Sequence, residues 1–338
     1  MKKELGIAVL LVVLCATLAI LAPNSLRPAN IDDMLRRISE YGVFGIGAGI
    51  VIITGGIDLS VGSLLALQGV IMCMLLRDHN MAWPGAIGLT MLSMAVLGAI
   101  HGVLVTRVKL PPFIVTLCGL MIYRSLARSI SHDESKGLGV QSYGFLKSMA
   151  SGEIYLSPRY TIPSAFVVLL IVSVIMYVLL HRSIFGRYLY AVGRNEEAAR
   201  YSGINTKLVI GSAYVIAAVL TGISGILLMF DIQSVTPSNS YNAYEMYGIA
   251  AAVLGGCSLL GGEGSIIGII LGTALIQVLL NFVQLLGIPS TWELAVMGSV
   301  ILVGVIFDQI LKSRKKKTPA AIAVSQAPAS PPLTPSAH

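Results

Sequence analysis

The stretch TGGIDLSVGS, Thr54 to Ser63, lies between two apolar runs, VFGIGAGIVII before it and LLALQGVIMCMLL after it. An acid and a glycine pair in such surroundings are costly in lipid, so their reading decides between plain spans and a broken helix. From Gly42 to Ile57 the preceding apolar run has about 16 residues, roughly 24 Å as a helix against a hydrocarbon core of about 30 Å. The break is therefore expected to be recessed into the inner half of the membrane. Non-helical backbone at that depth survives only when buried in protein or lining water. Gly55 and Gly56 suit a left-handed helix ending, and Asp58 or Ser60 can cap the next helix by accepting its free N–H groups. Asp58 then has two readings, a simple cap or a residue on a wet pathway, and a cap that faces a cavity is both. A proton relay is disfavoured because the sequence offers it no second well-buried ionisable partner nearby.

Around this stretch the chain is of one kind. Of 338 residues, 55% are hydrophobic and only 12% charged, about half the charged share of a soluble domain; the mean hydropathy is +0.83. The expected class is all-α, a polytopic helical membrane protein of about ten spans with broken or re-entrant segments, because long continuous apolar runs do not show a barrel's alternation. The runs are 5–22, 42–57, 59–76, 84–106, 112–130, 162–181, 208–230, 245–260, 264–286 and 292–311. The first resembles a signal peptide, but about 18 apolar residues exceed a usual signal core, so a retained span is expected.

Lys and Arg set the expected orientation. KSRKKK (Lys312 to Lys317), the segment Arg182 to Lys207, Arg107 with Lys109, and Lys2 with Lys3 are all assigned to the cytoplasm. Ten crossings put both termini on that side. The opposite face receives 23–41, 77–83, 131–161 and 231–244. Residues 1–311 form the membrane domain, and 312–338, basic and then rich in Pro, Ala and Ser, form a disordered cytoplasmic tail. The +7 net charge reads as topology and attraction to anionic lipid, not nucleic-acid binding. Cys15, Cys73, Cys118 and Cys257 have no metal-like spacing and read as small packing residues. No GxxxxGK[ST] occurs, so the chain is not expected to bind or split ATP.

A second interruption, VLGGCSLLGGEGSIIGIIL, places Gly255 and Gly256 as the TGGIDLSVGS stretch places Gly55 and Gly56. Paired interruptions point to a central pathway in transporters. Gly264, Gly268 and Gly272, like Gly98 and Gly102 in GAIHG, recur every four residues and read as close helix contacts. Asn195 to Ser202 is expected to be a short helix with Asn195 as N-cap, Glu196 and Glu197 in its first turn and Gly203 as its stop. It is too short to stand alone, so membrane or a partner must hold it unless it is a solvated connector. DIQSVTPSNSYNAYEMY, with Glu245, offers amides, hydroxyls and tyrosines that would suit a sugar. Thr116 and Asn281 are polar within spans, read as interhelical or back-bonded with cavity lining as the minority view.

With these residues in view, the chain resembles the permease subunits of bacterial ABC sugar importers of the ribose, arabinose and xylose type. TGGIDLSVGS, LPPFIVTLCGLMIYRSLA, FGRYLYAVGRNEEAARYSGI, YEMYGIAAAVLGGCSLLGGEGSIIGIILG and VIFD follow one another in that family's order. The resemblance implies no enzyme and no cofactor on this chain, with ATP on a partner ATPase. It also implies an extracytoplasmic substrate-binding protein and a second permease copy. It gives Asn195, Glu196, Glu197, Ala199, Arg200 and Gly203 the role of a coupling helix on the ATPase. Asp58 and Ser60 become candidates for the path or its gate, with Thr116, Glu245 and Asn281 as further pathway candidates. Tyr247 stands where the family is usually acidic, Phe282 where it is often polar or small, and Glu293 where a glutamine is common. The rival readings are a branched-chain amino acid permease of the same fold, an ion-coupled transporter and a non-transporting scaffold.

Overall fold

The computed structural model describes residues 2–139, 143–157 and 160–299, together with 302, 303 and 306. The expected tail, 312–338, lies outside the described residues, as does most of the last span beyond 299. The helices are α1 (Lys2–Leu21), α2 (Pro28–Ile53), α3 (Val61–Cys73), α4 (Trp83–Thr106) and α5 (Pro112–Ser131), then α6 (Gly144–Ser151) and α7 (Ser164–Tyr177). They continue with α8 (Ile184–Arg194), α9 (Glu196–Tyr201), α10 (Thr206–Ile232), α11 (Tyr244–Leu254) and α12 (Ile266–Leu285); residues 293–299 are again helical. Single wide turns of π type extend α3 to Asp78 and α7 to Arg182. Four short strands make two antiparallel pairs: β1 (Lys136–Gly137) with β4 (Ser234–Val235), and β2 (Glu153–Ser157) with β3 (Tyr160–Pro163).

Seven of the described helices are long and apolar enough to cross a membrane. α2 is not among them because its first half is charged. It nevertheless forms the centre of the bundle: every residue from Ile38 to Ile53 is buried. Small residues permit this. Gly45 faces Thr273 and Ala251, Gly47 lies against the backbone at Ala217, and Gly49 faces Ile269 and Ala252, so α10, α11 and α12 approach α2 closely. The four-residue glycine spacing acts the same way elsewhere, with Gly98 and Gly102 meeting α10 at Ala218 and Gly211, and Gly268 and Gly272 meeting the backbone at Gly255 and Ala251.

Two expected boundaries are corrected. The span read as 42–57 belongs to a longer helix: α2 starts at Pro28, whose fixed φ suits a first helical turn, within the segment 23–41. Two of its charges pair within the helix and a third partner comes from α10, Arg36 reaching Asp32 at 3.0 Å and Asp231 at 3.1 Å. At 26 residues, or about 39 Å, α2 is long enough that its length alone does not recess the break. The expected run 245–260 ends as a helix at Leu254, where Gly255 and Gly256 turn the chain.

The segments assigned to opposite faces do separate. Asp32 accepts from Thr161, Arg36 binds Asp231, and β1 pairs with β4, which gathers 23–41, 131–161 and 231–244 at one end. α8, α9, both glycine breaks and Glu4 of α1 gather at the other.

Candidate functional site

The α2–α3 break begins where Gly55 takes φ +86°, a conformation that glycine adopts without strain. Gly56 does not share it. Its lack of a side chain serves packing, because a β-carbon there would lie 2.6 Å from the Tyr214 hydroxyl. The chain then extends through Ile57 to Ser60 before α3 starts. Gln68 Nε2 donates to the Gly222 carbonyl at 2.8 Å, so α3 begins about 10 Å nearer the α8–α9 end than that point, about a third of the way along α10. Its free N–H groups are thus deep in the bundle.

Asp58 serves this end indirectly. Its Oδ1 accepts the Ser60 backbone N–H at 2.8 Å and the Ser60 hydroxyl at 2.6 Å, an Asx turn that holds the chain ahead of α3. Ser60 is the N-cap residue, but its side chain makes no capping bond; the expectation of a direct cap by either residue is corrected to a turn that sets the approach. Glu245, from the first turn of α11, reaches the same helix start: its Oε2 lies 2.6 Å from where a β-carbon on Gly62 would stand. Two buried acids therefore face the positive end of α3. Thr116 of α5 donates to Ile57 O and to Pro112 O, both at 3.1 Å, so it is at once back-bonded and tied to the break.

The structure brings Asp58, Ser60, Thr116 and Glu245 together. Asn281 is elsewhere, exchanging amide bonds of 2.8 and 3.2 Å with Asn30 near the hairpin end. Sequence reasoning missed His101. Its ring is buried, bonds the Tyr123 hydroxyl at 2.9 Å, and meets edge-on, at 6.2 Å, the ring of Tyr214, whose hydroxyl lies against Gly56 of the break. GAIHG was read for its glycines, and nothing in its spacing told that His101 lies beside the Tyr214 side chain that meets the break.

The second break mirrors the first, with Gly256 at φ +91° rather than Gly255. Its loop packs on α8 and on the first break. Gly262 N–H donates to Ile53 O at 2.8 Å. A β-carbon on Gly261 would lie 2.6 Å from Gly193 O and 2.9 Å from Gly55 N, and one on Gly193 would lie 2.6 Å from Gly262 N. This is a junction of bare backbone joining both breaks to α8. Tyr190 adds a 2.8 Å bond to Gly264 O, and burial pushes the Tyr190 hydroxyl's pKa upward, so it stays a donor. Ser265 N-caps α12 and donates to Glu4.

α9 projects from this junction. Asn195 Oδ1 accepts the Ala198 N–H at 2.9 Å, the expected N-cap, and Gly203 ends the helix at φ +84°. Glu196 accepts from Thr206 at 3.1 Å, and Ala199 is the buried anchor. Glu197 and Arg200 are exposed, and Tyr201 is 82% exposed. Among the described residues no cluster of His, Cys, Asp and Glu is placed to hold a metal.

The family described as "Branched-chain amino acid transport system / permease component" matches residues 30–305. The ribose import permease protein RbsC of Bacillus subtilis (strain 168) is 38% identical over 316 residues, 91% of this chain and 93% of that protein. The ribose import permease protein RbsC of Escherichia coli (strain K12) is 33% identical, covering 88% of this chain and 91% of its own. The D-allose transport system permease protein AlsC of the same organism is 32% identical, covering 90% and 91%. No solved structure matches the chain. With broken helices, a shared backbone junction and this coverage, the chain belongs to the transport-system permease family that matches its residues 30–305.

Proposed function

We propose that the chain is the membrane-spanning subunit of an ABC importer and that its cargo is a neutral monosaccharide, a ribose-like pentose favoured. The observation that carries the ATP-driven part is the glycine junction. α9 is exposed where an ATPase subunit would seat, and Gly193 of the helix before it meets both helix breaks backbone to backbone. Movement at Asn195, Glu196, Glu197, Ala199, Arg200 and Gly203 would reach Gly55 and Gly262 through these backbone contacts. Asp58, Ser60, Thr116 and Glu245 then form the gate region at the buried start of α3, whose deep position the broken helix makes movable. ATP stays on the partner; this chain positions, opens and closes.

The sugar part is supported by relatives whose names specify ribose and allose import. The helix end at α3 is also already faced by two acids, which disfavours an anionic cargo there. The family description names branched-chain amino acids, and that is the second reading.

The seven long apolar helices become ten crossings with α2, α11 and the last helix. α11, 11 residues or about 16 Å, cannot cross alone and relies on the loop before it, which Arg124 holds at Pro237 O and Ser240 O. The α8–α9 end is cytoplasmic by its Lys and Arg content, with both termini there, in a bacterial cell membrane. An extracytoplasmic binding protein delivers sugar at the hairpin end, and a second permease copy completes the pore. The test is uptake of labelled sugars and leucine by vesicles carrying the chain, its ATPase and its binding protein. Sugar uptake only with ATP inside is expected; uptake indifferent to ATP and driven by an ion gradient, or of leucine alone, overturns the proposal.

A further inference from the structure

The hairpin end carries a solvent-open cleft between α2, α12 and residue 293. Asp33, Arg37 and Tyr41 succeed one another at four-residue steps along one face of α2, and Gln277 and Asn281 do so along α12, with Glu293 closing the rim. Gln277 is 3% exposed, yet its Nε2 has no hydrogen-bond partner. A buried, unsatisfied amide donor is costly and calls for an explanation; here its residue lines an open polar cleft. Beside it the Tyr41 ring packs on Tyr244 and Tyr247 at centroid distances of 4.8 and 5.3 Å. Tyr247 donates to Glu293 Oε1 at 3.0 Å, fixing that carboxylate.

The chemistry of the lining selects a ligand class. Two carboxylates accept, the Gln277 and Gln284 amides and the Arg37 guanidinium can donate, the Asn30 and Asn281 amides bond each other, and the Tyr41 ring edges the lining. One cation against two acids leaves no excess positive charge for an anion. Alternating donors and acceptors beside a ring suit a ligand that both donates and accepts at several neighbouring carbons, which is a polyol. We infer that this cleft is a vestibule for a neutral monosaccharide, with Gln277 Nε2 donating to its innermost hydroxyl. The inference rests on the sugar-importer reading and adds where the cargo waits, at the opposite end from the Asp58 gate. It also gives the departures at Tyr247 and Glu293 a single sense, because those two side chains bond each other at the cleft rim.

The test uses the full chain with its ATPase in lipid nanodiscs, in a Trp83→Phe background that leaves Trp292, next to Glu293, as the sole tryptophan. D-ribose, D-allose, D-fructose and L-leucine are titrated by Trp292 fluorescence and, with labelled ligand, by equilibrium dialysis. At least one sugar should bind saturably and leucine should not. Gln277→Leu should weaken sugar binding about tenfold while leaving thermal stability equal or higher, since it removes an unsatisfied buried donor. A purely structural glutamine would move stability and leave affinity unchanged. No saturable sugar binding by either readout, or binding untouched by Gln277→Leu and by Asn281→Leu, overturns the vestibule. Uptake run in parallel separates the two readings. Wild-type ATP-driven sugar uptake that both variants retain sinks the vestibule alone, whereas no sugar uptake by the wild type removes the importer reading and the vestibule with it.

Discussion

Gly193→Ala is the sharpest test of the junction between α8 and the helix breaks. The added β-carbon would stand 2.6 Å from Gly262 N, with Ile53 O closer still, whereas ordinary contact begins at 3.4 Å. α8 must therefore retreat by at least about 0.8 Å, because both obstacles are backbone and cannot rotate aside. If the second break moves by as much from α2, the Gly262 N–H to Ile53 O bond lengthens from 2.8 Å to about 3.6 Å, no longer a hydrogen bond. Losing it costs about 1 kcal/mol and the overpacking about 1–3 kcal/mol, so about 2–4 kcal/mol of stability is expected to go. Thermal melting of the purified permease measures this, with Gly88→Ala, which meets nothing within 4 Å, as the neutral control. The functional effect should be larger than the loss of folded protein. In reconstituted vesicles, stimulation of ATP hydrolysis by sugar-loaded binding protein should fall about tenfold or more, the scale of a 1–3 kcal/mol coupling energy, while basal hydrolysis persists. Gly193→Ala with wild-type melting and wild-type sugar-stimulated hydrolysis would refute the reasoning.

Asn195→Ala should remove the N-cap of α9, costing about 1 kcal/mol locally, and lower uptake and ATPase retention on affinity pull-down, with Asn195→Asp restoring both. Asp58→Ala loses both bonds to Ser60 and should lower uptake more than the yield of assembled permease; normal uptake with poor yield would make Asp58 a structural turn only. Arg36→Ala leaves Asp32, Asp231 and the buried Glu40 without their nearest cation and should destabilise by about 3–5 kcal/mol, read as a lower melting temperature, with Arg36→Lys recovering part of it. Tyr247→Phe frees the Glu293 carboxylate and should change the relative uptake of ribose, allose and fructose while leaving melting within about 0.5–1.5 kcal/mol of wild type, the scale of one hydrogen bond.

The helices were legible because lipid leaves the backbone few choices, and apolar runs of span length announce themselves. Boundaries failed where that logic did not apply. α2 can begin at Pro28 despite its charges, since Arg36 finds Asp32 one turn away and Asp231 on another helix, and only the first of these is visible in the order of residues. The gate candidates were partly legible: Asp58 and Ser60 sit in one string, but Glu245 joins them only because α11 starts deep in the bundle. His101 was hidden for the same reason, since a histidine on an apolar helix does not reveal which neighbour it meets.

By itself the sequence determined the class, the two breaks, the short α9 with its Asn195 cap and Gly203 stop, and the partition of segments between two ends. Those follow from local rules: transfer cost, the freedom of glycine at positive φ, and side-chain caps within four residues. Only the tertiary structure decided that the two breaks touch through Gly55, Gly193, Gly261 and Gly262, that two distant acids face one helix end, and that Gln277 is left with an unpaired amide beside an open cleft. Each of these depends on which helices are neighbours. That is set by the fit of glycine-lined surfaces over the whole bundle, which no short window of sequence contains.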